Sequence, residues 1–335
     1  MTSASRLRRR LIKFGFADPA LEAAWPSWWS DDADTSVSAQ TELRFSLARK
    51  LGLDPRSLLE DADLPRFVWN DEARFKRLRG ESDTERAALA SFGSVLGAAL
   101  IGASSAGTAS ANGDALSIRQ AILQNQKWVD LTSLLLVCWG VGIPVIHLRI
   151  FPMLRKRMAA MTVRRGERHA ILLAKDSVYP APIAFYLAHE LGHIMLGHLG
   201  LEDAIVDLDE DQLTSRDDDP EEAEADTFAL ELLTGEPKPR VLSTLSGRPT
   251  GRALAAATLH AGPDLGIEPG TLALCFAYST GQWGVAMRAL SSIYAPSHSV
   301  WRHVNEIAKR ELSTRDIPED IQPFLKAVMG GVGPT

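Results

Sequence analysis

The chain has 335 residues, 45% of them hydrophobic and 23% charged, with a formal net charge of -6. At roughly 100–200 residues per domain that is enough for two or three folded units, which excludes a short peptide, and the net negative charge argues against an obligate nucleic-acid binder. Only two cysteines occur, Cys138 and Cys275, too few for a disulfide framework and without the spacing of a thiolate metal site; both read as buried small hydrophobes.

The chain opens on a basic cluster (Arg6, Arg8, Arg9, Arg10, Lys13), but Asp18, Pro19 and Glu22 stand where a signal peptide needs an apolar core, so the expected location is the cytoplasm. Trp25 to Asp34 is a turn-rich loop with three tryptophans. Ser38 to Gly52 then reads as a helix with Leu43, Leu47 and Leu51 on one stripe. The segment LARKLGLDPRSLLED bears a weak resemblance to part of a helix-turn-helix, with ordinary helix packing as the favoured role. A second helix is expected from Asp83 to Ile101, followed by a small-residue linker from Ala103 to Asp114 and a boundary near residue 115. Two uncharged runs, Ala87 to Gly113 and Leu131 to Ile146, read as buried segments rather than membrane spans. The first is weakly hydrophobic, and the second is short and broken by Gly140, Gly142 and Pro144.

Beyond the linker the pattern predicts helices at about Leu116 to Trp128 and Leu131 to Trp139, then strand character in VIHLRIF and again at His169 to Ala174. The second strand is expected to be an edge able to pair with an extended substrate peptide. Between the strands, Arg149 to Arg168 holds seven basic residues against Glu167. It reads as a solvated loop, with a dock for an acidic protein or nucleic acid as the alternative.

The helical run APIAFYLAHELGHIML contains His189-Glu190-Leu191-Gly192-His193, an H-E-x-x-H motif. At 100° per residue the two histidines lie about 40° apart and can share a metal ion. Ile183, Leu187, Leu191 and Ile194 form a stripe on the far side, which predicts a helix packed on a core with its histidines lining a cleft. A hydrolytic zinc site needs a third protein ligand. His198 falls about 180° from His189 if the helix continues. The alternative lies on a second helix, opened by Asp219 as cap and Pro220 at its first position, whose wheel turns Glu222 and Asp226 inward and Glu224 and Glu231 to solvent. From Glu202 to Glu236 there are fifteen acidic residues and one basic residue, Arg216. The part up to Asp219 reads as a solvated connection, or alternatively as a lid that pairs with the basic stretch. Prolines 239, 249, 263 and 269 punctuate a mainly helical remainder that ends in GGVGPT.

HELGH together with EAEADTFALELL, preceded in order by GIPVIHL and HAILLA, resembles the ImmA/IrrE family of zinc metallo-endopeptidases over about residues 118–237. The resemblance implies one Zn²⁺ per chain held by His189, His193 and Glu222, with Glu190 as general base and Asp226 behind a ligating histidine. It further implies an α+β zincin-like domain and regulatory, site-limited proteolysis of a protein substrate such as a transcriptional repressor, after stress. The expected organisation is an N-terminal helical region (1–115) for partner binding, a metallopeptidase domain (116–240) and a C-terminal helical region (241–335). Tyr179, Tyr186, His260, His298 and His303 are candidates for stabilising the oxyanion. The competing class is a transcriptional regulator or partner-binding protein with a structural or vestigial metal site.

Overall fold

Strands whose alternate residues are all apolar must be covered on both faces, and that requirement organises this molecule. The computed structural model describes residues 2–60, 64–68, 73–75, 83–105, 113–153, 158–199, 204–208, 219–242, 249–295 and 299–330. Among them five strands, β1 (Ala73–Phe75), β2 (Val145–His147), β3 (Met158–Arg165), β4 (Arg168–Leu173) and β5 (Ala204–Leu208), form one sheet in the order β1-β5-β3-β4-β2. β3 and β4 are an antiparallel hairpin in which Arg165 pairs with Arg168 and Gly166 takes the left-handed conformation that the tight turn requires. β2 runs parallel to β4, β5 antiparallel to β3, and β1 parallel to β5. The molecule is a mixed α+β structure, mostly helical around this sheet.

Several expectations change here. Residues 158–165, read as part of a solvated basic loop, are the central strand. The run MAAMTV is apolar at nearly every position and fully buried, and the arginines that dominate the composition of the stretch lie at its ends. β4 is not an edge, because β3 and β2 occupy both of its sides. β2 is the edge on that side, and Asn305 occupies the outward backbone groups of His147, accepting its N–H at 2.7 Å and donating to its carbonyl at 2.8 Å. Residues 204–208 of the acidic connection are strand β5, while 200–203 and 209–218 lie outside the described residues.

On one face of the sheet the N-terminal helices α1 (Ser3–Phe14), α2 (Asp18–Ala24), α3 (Val37–Leu51), α4 (Arg56–Leu59) and α5 (Asp83–Ala103) build an apolar core with Ile146, Met161, Val163, Ala170 and Leu172. The predicted stripe of α3 is in that core. α4 is a single turn, and Arg44 of α3 is buried against it with Nε donating to the Leu58 carbonyl at 3.0 Å; this hairpin is packed inward. α5 sits almost on the strands, since a Cβ on Gly93 would stand 2.1 Å from Met161 Sδ and one on Gly97 would stand 2.6 Å from Val163 Cγ1. Among the described residues no helix is long and apolar enough to cross a membrane.

The other face, with Val145, Ala160, Ile171 and Leu173, is covered by α6 (Ala115–Leu123), α7 (Leu131–Gly140), α8 (Pro180–Met195) and α9 (Pro220–Thr234). α6 ends before the predicted Trp128, because the chain turns to bridge Val129 to Ile267. Cys138 and Cys275 are buried, and loss of hydration pushes their thiols up to about 12 and about 11. Helices α10 (Gly251–Leu265), α11 (Pro269–Thr280) and α12 (Trp283–Ile293) form a third cluster that includes Ala181 at the start of α8. α13 (Val300–Glu311) and α14 (Ile321–Val328) return to close the ends of the two sheet cores. The core on the N-terminal side therefore runs across both expected boundaries, near 115 and near 240.

Candidate metal centre

α8 starts at Pro180, which needs no hydrogen bond at the first helical position, and runs without a polar interruption to the histidine pair. Ile183, Leu187, Leu191 and Ile194 are buried in the sheet core as their spacing predicts. The opposite face is not an open cleft. His189 and His193 are 1% and 0% exposed, because α9 lies directly across them. The small residues at the crossing permit that approach: a Cβ on Gly192 would already stand 3.2 Å from Phe228 Cβ and 3.3 Å from the Ala225 backbone. α9 is started by Asp219, whose carboxylate accepts the Glu221 N–H, and its first turn carries Glu221 and Glu222, where the helix dipole favours negative charge.

The result is a buried convergence of three side chains. Nε2 of His189 and Nε2 of His193 are 3.0 Å apart, and Glu222 brings Oε2 to 3.3 Å from the first and Oε1 to 3.2 Å from the second. Ligand atoms of all three lie within 4.8 Å of one another, a group able to hold a metal ion. Bonds of about 2.0–2.1 Å in a tetrahedron put neighbouring donors about 3.3 Å apart, so the observed spacings of 3.0 to 3.3 Å fit one small cation. Two neutral imidazoles and a carboxylate are also the donor chemistry of a borderline divalent ion.

The supporting contacts lie one step out. Asp226, one turn after Glu222, has Oδ1 2.9 Å from His189 Nδ1. Glu190 points from α8 to the sheet and is fully buried; Thr162 of β3 donates its hydroxyl to Glu190 Oε2 at 2.5 Å. His198 is not among the converging donors: its Nδ1 is 2.9 Å from His193 Nδ1, and its Nε2 is 3.1 Å from Oε2 of Glu224. The helical wheel put His198 on the wrong side because α8 stops at Met195. Gly197 then turns the chain with a φ of +75°, and the His198 N–H donates to the His193 carbonyl at 3.0 Å.

Of this arrangement, sequence reasoning missed Thr162, weighed His198 only as a metal ligand, and turned Glu224 to solvent without linking it to His198. Two weak signals existed: a lone hydroxyl in an otherwise apolar buried strand, and a glycine directly before a third histidine. Of the five oxyanion candidates, Tyr179 stacks on Tyr294 in the C-terminal cluster, His260 is exposed on α10, and His303 bonds Thr132 Oγ1 through Nε2. His298 lies outside the described residues. Tyr186 sits on α8 edge-on to Phe185, whose ring also lies 6.4 Å from His189 and 5.8 Å from Tyr278 of α11.

Residues 160–264 match the family model Peptidase U49, about a third of the chain. The matched stretch contains the three converging donors together with Thr162, Glu190, His198, Glu224 and Asp226. It supports a peptidase, acting on protein, in general terms. Neither the curated proteins nor the solved structures contain a match to this chain.

Proposed function

We propose that the chain is a zinc-dependent endopeptidase of the ImmA/IrrE type, with a zincin-like catalytic unit in residues 116–240, acting on a regulatory protein such as a transcriptional repressor. The observation that carries this reading is the convergence of His189, His193 and Glu222, together with a buried Glu190 in the same H-E-x-x-H motif. Among the described residues three protein donors converge rather than four. Structural zinc sites close their tetrahedron with four protein ligands, whereas hydrolytic ones keep one position for water or substrate.

A Zn²⁺ held by His189, His193 and Glu222 would supply Lewis-acid polarisation of the scissile carbonyl and would lower the pKa of bound water toward about 7. The remaining work belongs to the chain's own groups. Glu190 takes the proton of the attacking water and delivers it to the leaving amine. The Thr162 hydroxyl fixes the plane of that carboxylate from the sheet side, so its orientation is set before substrate arrives. Asp226 accepts the Nδ1–H of His189, which leaves the lone pair on Nε2 of that ring, the atom that would hold a metal ion.

A second reading rests on the burial of the histidines and Glu190: a closed site also suits a regulator in which the metal only holds α8 to α9. The two separate on one substitution. Glu190→Gln is expected to retain one zinc per chain by elemental analysis and to abolish cleavage, seen as a neo-N-terminus that is present in cells carrying the unaltered chain and missing with the variant. A chain that holds zinc and yields no such neo-N-terminus supports the binding protein. Absence of zinc from protein with His189, His193 and Glu222 intact removes both readings.

A further inference from the structure

The two histidines are supported differently. His189 meets a carboxylate directly, whereas behind His193 stands a second imidazole and only then a carboxylate. We infer that His198, oriented by Glu224, is a positioning residue that fixes the tautomer and ring plane of His193 for metal binding. The inference rests on the metal-site reading above in one respect: it takes Nε2 of His193 as the donor atom.

From that premise every proton in the chain follows. A metal-directed lone pair on His193 Nε2 leaves the ring proton on Nδ1. The 2.9 Å contact between His193 Nδ1 and His198 Nδ1 is a hydrogen bond only if one nitrogen carries a proton and the other accepts it. His193 is therefore the donor and His198 Nδ1 the acceptor. The proton of His198 must then sit on Nε2, where the structure provides Glu224 Oε2 at 3.1 Å to receive it. Reversing the direction would put the proton of His193 on the nitrogen that faces His189 Nε2 at 3.0 Å and Glu222 Oε1 at 3.2 Å.

The arrangement is also held mechanically. His198 is 9% exposed, and its backbone is tied to the carbonyl of the very histidine it supports. Glu224 by contrast is 63% exposed in its side chain, so its bond competes with water and its share is small.

The test uses the full chain and reads metal rather than catalysis. Zn²⁺ affinity is measured by competition with a chromogenic chelator, and the Co²⁺-substituted protein gives a d–d absorption band that reports the ligand field. His198→Ala is expected to weaken Zn²⁺ binding about 10–100-fold and to shift the Co²⁺ band, since outer partners of ligating histidines are worth that much. His198→Asn, whose Oδ1 takes the place of Nδ1 as acceptor, is expected to recover most of the affinity. Glu224→Gln, a surface change that leaves the core intact, is expected to cost only a few-fold. If His193→Ala abolishes binding while His198→Ala binds Zn²⁺ as tightly as the unaltered chain with the same Co²⁺ band, the inference is overturned and the metal site stands. If the unaltered chain binds no Zn²⁺ at all, the metal-site reading falls and the inference with it.

Discussion

The two faces of the sheet are made from alternate residues of the same strands; both carry an apolar core, and one of them also holds the buried polar groups. Met161 and Val163 of β3 look toward α5 in an apolar core, so close to the helix that it carries glycines opposite them. Ala160 and Thr162, one residue away on each side, look toward α8, and there a hydroxyl reaches a buried glutamate. The first face holds the layers together by close packing. The second adds to its apolar core a set of ionisable groups in a low-dielectric interior, where an unsatisfied one is costly. The candidate site thus occupies only one of the two faces.

The largest effect expected from breaking the polar face is that of Glu190→Gln. If Glu190 is the general base as proposed, its removal costs about 10²–10⁴-fold in rate, read from the initial rate of substrate cleavage with the zinc content held equal. Breaking the apolar face should act on stability instead. In Gly97→Ala the new methyl meets β-branched Val163, which cannot swing away, and overpacking of about 1–3 kcal/mol outweighs the helix-propensity gain of up to about 1 kcal/mol. Gly93→Ala meets the flexible end of Met161 and should cost less, so a thermal melt in which Gly93→Ala is the more damaging of the two would contradict this account of α5.

Thr162→Val sharpens the comparison because it changes shape hardly at all. It leaves Glu190 without the hydroxyl, a cost of about 1–3 kcal/mol, and should depress activity far more than Thr162→Ser, which restores the donor. The smallest effect is expected away from both faces. Glu268 caps α11 by accepting the Thr271 N–H at 2.8 Å and also accepts the Tyr294 hydroxyl at 2.8 Å; burial raises its pKa above 4.5. A carboxyl raised on folding keeps its proton in the native state where the unfolded chain has lost it, so stability falls as pH rises from 4.5 through the folded value. Glu268→Gln should flatten that fall in denaturant titrations at a series of pH values, without altering metal affinity.

Legibility from sequence tracked distance along the chain. The pairing of His189 with His193, the apolar stripe of α8, the start of α9 at Asp219-Pro220 and the inward turn of Glu222 and Asp226 are all consequences of local helical geometry, and they stand in the structure as the spacing predicts. The strand at 158–165 was obscured because flanking arginines masked a buried apolar run. The edge assigned to β4 failed because strand order is a property of pairing partners far apart in the chain.

By itself, then, the sequence determined which residue types could share a metal ion, since 100° per residue fixes who stands beside whom on one helix. Only the tertiary structure decided what surrounds them. Small residues at Gly192 and Ala225 let α9 approach until Glu222 reached both imidazoles, and the sheet brought Thr162 to Glu190. Ending α8 at Met195 returned His198 to the back of His193. Those contacts depend on how closely separate elements pack and where each one stops, and no periodicity along a single segment encodes either.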